Sequence, residues 1–220
     1  MKLYSYWRST AAYRVRIALN IKELECEVIP VHLVKDGGEH LKEEYTRLNP
    51  QGLVPTFVTN NAEVLTQSLA IIDYLENCYP SQSLYPSDPV KKAQAQAMAL
   101  SIACDIHPLN NLRVLKYLKS EDWQQIQVDK WYAHWILNGF EAIELQLEKS
   151  AGQFCFDQTI TVADIFLVAQ VYNANRFNVP LEAYPIIQKI NANCLKQQAF
   201  IDALPENQLD CDSKLITKNE

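Results

Sequence analysis

"YSYWRSTAAYRVRIALN", residues 4–20, opens as a short aromatic strand, breaks at Arg8-Ser9-Thr10, and runs on as a helix carrying Arg14 and Arg16. Downstream, "CEVIPVHL" (26–33) reads as a second strand, being short, β-branched and bounded by polar residues. "VPTFV" (54–58) and "EVL" (63–65) flank "TNNA" (59–62), whose two Asn suit a hairpin turn. "AAYRVRIALNI", "HLKEEYTRLN" and "SLAIIDYLENCY" carry apolar residues at helical spacing. The order over residues 1–80 is therefore β-α-β-α-β-β-α. A strand–helix–strand start requires a right-handed crossover and parallel pairing. The hairpin then adds an antiparallel strand, and the last helix packs back.

"PSQSLYPSDP" (80–89) holds three Pro and three Ser and reads as a linker. Beyond it strand signals nearly vanish. Residues 90–119, 123–149 and 161–176 read as amphipathic helices, with a shorter one near 184–197, and Pro108 is expected to kink the first. The polar tail 210–220 is expected to fray. The chain thus divides into an α/β domain over 1–80, a linker over 81–89 and an all-helical domain over 90–220.

The 220 residues are 48% hydrophobic, enough for one large or two small domains. With 26 acids against 20 bases and no basic run longer than two residues, a nucleic-acid platform is not expected. No apolar run reaches 18 residues and no basic leader opens the chain, so the expectation is a soluble cytoplasmic protein. Six scattered cysteines without a C-x-x-C pair read as reduced thiols. The four histidines lack metal-ligand spacing, and no metal is expected.

A helix N-terminus offers unpaired N–H groups and partial positive charge. Ser9 and Thr10 stand at such a place. Either hydroxyl suits an N-cap; either also suits donation to an anion such as a thiolate, which lowers a thiol's pKa. Val54-Pro55 stands where a strand begins; a cis bond there would free the Val54 backbone for an extended, peptide-like ligand. Gln67 and Ser68 open another helix whose amides suit a carboxylate. Each signal alone is explained by capping or edge punctuation; the three together, in this order, point to a ligand. Arg14 and Arg16, two apart on a helix, point about 200° apart and cannot both face one site; one is expected to be structural. Thr161 and Asp164 have capping-box spacing, and a folding role is expected, worth about 1–2 kcal/mol. Trp123, Trp131 and Trp135 lie at helical spacing and read as core or dimer contacts.

"SYWRSTAAYRVRIAL", "KDGGEH", "LNPQGLVPT", "QSLAIIDYLE", "DIHPLNNLRVLKYL" and "TVADIFLVAQVYNANRF" together resemble the zeta class of the glutathione transferase superfamily, the class of the maleylacetoacetate isomerases. The resemblance spans nearly the whole chain. It implies a thioredoxin-like N-terminal domain followed by an all-α domain, as a homodimer with glutathione as cofactor. It makes Ser9 the residue that activates the glutathione thiol, with Thr10 keeping a second hydroxyl. Ala11 stands where many members have Cys, which removes an auxiliary thiol. Val54, beside Pro55, would pair with the cysteinyl unit, and Gln67 and Ser68 would take the γ-glutamyl end. His40 and His107 stand where relatives place Gln at the ligand and could add pH dependence, and Asn111 follows in the same helical strip. Arg8, Arg113 and Arg176 would hold substrate carboxylates, which Arg binds bidentately.

The implied reaction is cis–trans isomerisation of maleylacetoacetate to fumarylacetoacetate, in tyrosine and phenylalanine breakdown, by reversible thiolate addition. Maleylpyruvate isomerisation is the nearest rival. General conjugation or haloacid dehalogenation is the next.

Overall fold

The computed structural model describes residues 1–211; the sequence reading of the tail therefore falls, beyond residue 211, outside the described residues. Two compact units emerge: residues 1–82 with residues 197–211, and residues 83–196.

In the first unit, β1 (Lys2–Ser5) leads into α1 (Thr10–Ile21), and α1 into β2 (Glu27–Pro30). β2 pairs parallel with β1, as the crossover requires, in the register Leu3↔Val28. β3 (Thr56–Val58) runs antiparallel to β1 and pairs with β4 (Val64–Thr66), giving the sheet order β2-β1-β3-β4. α3 (Ser68–Cys78) closes the unit's α/β part. Leu3, Phe57, Val15, Leu19, Ile71 and Leu75 form one buried cluster, so α1 and α3 share a core with β1 and β3. The buried Lys22 ammonium sits 2.7 Å from Glu76 and donates to the Tyr79 carbonyl at 2.8 Å, fastening the end of α1 to the end of α3.

Three local readings change. The hairpin turn puts Ala62, not an Asn, at positive φ (62°), with Thr59 Oγ accepting from Asn61 and Glu63 N–H instead. The second helix shrinks to α2 (Glu43–Thr46), because tight 3-10 turns around Gly37 and Gly38 occupy Lys35–Leu41. Residues 197–211, expected in the helical domain, pack in the first unit. There α9 (Gln198–Ala203) lies on α1, with Asn20 Nδ2 donating to Ala199 O at 3.0 Å.

The second unit is helical. α4 (Pro89–Leu100) is capped by Asp88, which accepts from Lys91 N–H at 2.8 Å. The expected kink at Pro108 begins earlier, as a widened π turn over Ser101–Ile106 and a 3-10 turn over His107–Asn110. A proline ring conflicts with the carbonyl four residues back, here Cys104, and the widened turn absorbs that conflict. Gly139 makes room for it, since a Cβ there would collide with Ile106 Cδ1. α5 (Leu112–Ser120) and α6 (Gln125–Ser150) follow. α7 (Val162–Arg176) is buried on nearly every side through Ala174 and forms the unit's centre. Glu144 of α6 accepts from Ile186 and Ile187 N–H at 2.7 and 3.0 Å, capping α8 (Pro185–Cys194). Among the described residues no helix is long and apolar enough to cross a membrane.

Candidate functional site

The break in the opening stretch is a turn. Ser9 N–H donates to Tyr6 O at 2.9 Å, and Ser9 leaves in extended conformation to become the N-cap of α1. Its Oγ accepts from Ala12 N–H at 3.2 Å. Capping and donation therefore do not exclude each other: the oxygen is used as an acceptor, and no bond among the described residues uses its proton. Thr10 is the first helical residue and is buried. The Ala11 N–H has no partner among the described residues. Arg8 projects beside this N-terminus, its guanidinium carbon 5.1 Å from the Trp7 ring centre and 5.9 Å from that of Tyr6.

Val54-Pro55 is a cis peptide. The turn it belongs to is pinned from both sides. Tyr45 Oη bonds to Leu53 O at 2.6 Å and Thr56 Oγ at 2.7 Å, and Asn49 Nδ2 donates to the same two oxygens at 2.8 and 3.0 Å. Burial pushes the Tyr45 phenol up, against those hydrogen bonds, so it stays a neutral donor. Among the described residues nothing bonds to the N–H or C=O of Val54. That is an open edge for an extended ligand at a nearly buried position.

Gln67 takes φ 69°, ψ 118°, a sparsely populated conformation for a residue with a side chain. It turns the chain sharply into α3 and leaves the first amides of that helix to an anion. Ser68 Oγ accepts from the buried Arg14 guanidinium at 3.4 Å, and Gln67 Nε2 donates to Gln51 Oε1 at 3.3 Å. His40 is buried, with Gly38 (φ 106°) directly against its ring; a Cβ on Gly38 would stand 2.7 Å from His40 Nδ1.

Four candidates lie in the second unit. Asn111 caps α5, its Oδ1 accepting from Arg113 N–H at 3.1 Å, and Arg113 is exposed. His107 opens the 3-10 turn before it. Arg176 ends α7 and is exposed, its guanidinium 4.8 Å from the Phe177 ring centre. Phe177 stacks on Tyr132 at 3.8 Å. Burial pushes the Tyr132 phenol up, although the Arg176 cation pulls the other way.

Both nearby arginines of α1 are buried: Arg14 reaches Ser68, while Arg16 bonds to Ser5 Oγ, Trp7 O and Ala203 O. Asp164 is fully buried and accepts from Thr161 N–H (2.8 Å), Thr161 Oγ (3.0 Å) and Cys155 N–H (2.7 Å), the folding role that its spacing suggested. Sequence reading passed over Tyr45 and Asn49; only the Asn-Pro-Gln-Gly turn hinted that this loop needed fixing.

Residues 3–83 match the family described as glutathione S-transferase, N-terminal domain. A probable maleylacetoacetate isomerase of Vibrio cholerae is 47% identical over 94% of this chain and 97% of its own length. A holo maleyl pyruvate isomerase, a bacterial zeta-class glutathione S-transferase, superposes with a TM-score of 0.91 at 44% identity, covering 96% of this chain and 99% of that one. A maleylacetoacetate isomerase of Anaeromyxobacter dehalogenans with GSH bound in its active site superposes at 0.86 with 33% identity, covering 96% and 97%. At this identity and coverage, the chain belongs to the glutathione transferase family and to its zeta class.

Proposed function

We propose that this protein is a glutathione-dependent isomerase that converts maleylacetoacetate to fumarylacetoacetate. The observation that carries the reading is Ser9: a hydroxyl at the start of α1 whose oxygen caps the helix and whose proton is unspent among the described residues. The residues fit glutathione: Val54 offers an unbonded peptide edge for its cysteinyl unit, and the amides at the start of α3, with Gln67 and Ser68, suit its γ-glutamyl carboxylate. Thr10, Ala11, Pro55 and His40 frame that ligand in the first unit, and His107 and Asn111 are the second unit's candidates to meet it.

Glutathione, when bound, would supply a thiol whose ionised form can add reversibly to a conjugated alkene, leaving a single bond free to rotate until elimination restores the alkene and the thiolate. Ser9 donates its hydroxyl proton as a hydrogen bond to the sulfur and favours the ionised form. The partial positive charge of the α1 N-terminus and the Ala11 N–H act in the same direction. Arg8, Arg113 and Arg176 bind the substrate's carboxylates, and a guanidinium stabilises the charge that develops on the activating carbonyl oxygen.

The reading extends to a homodimer in the cytoplasm. Exposed Val90 and Leu100 of α4 and Leu145 of α6, the last on an open groove of about 500 Å³, support a self-association face in the second unit. Six free cysteines support a reducing compartment.

The test is turnover of maleylacetoacetate, maleylacetone and maleylpyruvate, followed by ultraviolet absorbance with and without glutathione. Glutathione-dependent turnover with no net glutathione consumed is the expected result, fastest on the acetoacetate. A faster rate on maleylpyruvate moves the assignment to that acid. Conjugation of chlorodinitrobenzene or a haloacid without isomerisation overturns it.

A further inference from the structure

We propose that Asp210 is a positioning residue for the turn that carries Arg8 and Ser9, and that the C-terminal segment thereby takes part in the chemistry. The inference rests on the reading of Ser9 given above. Ser5 ends β1, Ser9 starts the cap of α1, and between them the turn is closed by Ser9 N–H donating to Tyr6 O. Its remaining restraints come from outside. Trp7 N–H donates to Asp210 Oδ2 at 2.9 Å, a bond that spans 203 positions of sequence. Trp7 C=O accepts from Arg16 Nη2 at 3.1 Å, and Arg16 Nη1 donates to Ser5 Oγ at 3.1 Å. The third donor, Arg16 Nε, goes to Ala203 O at 3.1 Å, at the end of α9.

Both main-chain groups of Trp7 are therefore held by side chains, one of them from the C-terminal segment and the other itself tied to that segment. Cys211 adds an apolar anchor, buried in the cluster of Tyr6, Trp7, Val31, Tyr45 and Val54. The residue so held stands immediately before Arg8, lies under its guanidinium, and is two residues before Ser9. A carboxylate acceptor makes the Trp7 bond charge-assisted and stronger than a neutral one. Reactive groups lose rate steeply when displaced, so a loosened Trp7 shifts both Arg8 and the Ser9 hydroxyl.

The experiment uses the full chain and maleylacetone with glutathione, measuring kcat, KM and thermal unfolding for Asp210→Ala and Asp210→Asn, alone and with Ser9→Ala. Asp210→Ala removes the acceptor and is expected to lower kcat by about tenfold or more, because misplacement is felt in the reacting geometry. Asp210→Asn keeps an oxygen at that place and should stay within about twofold of wild type, since the bond geometry is retained. In the Ser9→Ala background Asp210→Ala should lower kcat by clearly less than it does in the wild type, the remainder being the share carried through Arg8. Should Asp210→Ala unfold, Asp210→Glu takes its place: it keeps the charge, moves the oxygen by one methylene, and has the same expected loss. A silent Asp210→Ala, an Asp210→Asn as poor as Asp210→Ala, or losses that multiply with Ser9→Ala each overturn the positioning role while leaving the assigned reaction standing. If Ser9→Ala itself turns over like wild type, the reading of Ser9 falls and this proposal falls with it.

Discussion

Ser9 is asked to do two things, and two substitutions separate them. Its oxygen accepts the Ala12 N–H at 3.2 Å, so Ser9→Ala removes a cap and should lower stability by about 1 kcal/mol. Glycine is nearly as good a cap, so Ser9→Gly should lower it by only a few tenths of a kcal/mol. Both remove the hydroxyl. A hydrogen bond to a charged group is worth about 1.5–3 kcal/mol, which becomes about tenfold to 150-fold in kcat/KM if it is made to the thiolate in the reacting complex. The sign of the pH effect follows. Without the donor the thiolate is less favoured, so its titration moves up, and the rising limb of the pH–rate profile moves alkaline. The same range of energy corresponds to about one to two pH units. The assay is maleylacetone isomerisation from pH 6 to 9, with urea unfolding of each variant alongside. Equal kinetic losses in both variants, with unequal stability losses, are expected. A Ser9→Gly enzyme near wild-type activity beside a crippled Ser9→Ala would assign the effect to the cap, and the account of the hydroxyl would be wrong.

Gln67→Gly should move stability and binding in opposite directions: relief of the positive-φ conformation offsets glycine's added chain entropy, for a net gain of up to about 1 kcal/mol, while glutathione affinity measured by calorimetry falls. A loss of stability would mean that the conformation is not strained. Asp164→Ala leaves three buried donors, from Thr161 and Cys155, without their carboxylate, and should cost about 3 kcal/mol in urea unfolding, more than a cap alone. A drop in kcat per folded molecule would show that Asp164 does more than fold the chain. Thiol labelling read by mass spectrometry should reach exposed Cys78 and Cys104 first. Burial pushes the Cys26 thiol up to about 11, so at pH 8 only about one molecule in a thousand carries its thiolate, and its labelling rate should climb about tenfold per pH unit. Buried Cys155 and Cys194, both pushed up by desolvation, should react only on unfolding; rapid native labelling of either would contradict that burial.

What could be read in advance has a physical pattern. Strand and helix order followed from apolar spacing, because a buried face imposes its period on the local sequence: Leu3 and Phe57 on strands, Val15, Leu19, Ile71 and Leu75 on helices, all in one core. The helix starts at Ser9 and Ser68 and the turn at Val54 were legible for a related reason. Helix N-termini and strand starts are local devices, so the residues that exploit them sit in short contiguous motifs. The π turn before Pro108 and the positive φ of Ala62 and Gln67 were not findable, since each is a local compromise imposed by packing rather than by the residue's own preference. Residues 197–211 were misassigned because periodicity tells which face of α9 is apolar but not what covers it. The partner is α1, through Asn20 and Arg16. The same limit governs the site. Tyr45 and Asn49 pin the Val54 turn, and Asp210 and Arg16 pin Trp7, by bonds to main-chain atoms, and a main-chain acceptor or donor leaves no mark on the identity of the residue that carries it. Chemistry is therefore written in adjacent residues, whereas the rigidity that chemistry needs is supplied from elsewhere in the chain. A mutational survey confined to the motifs around Ser9 and Gln67 would miss the half of the site that sets its geometry.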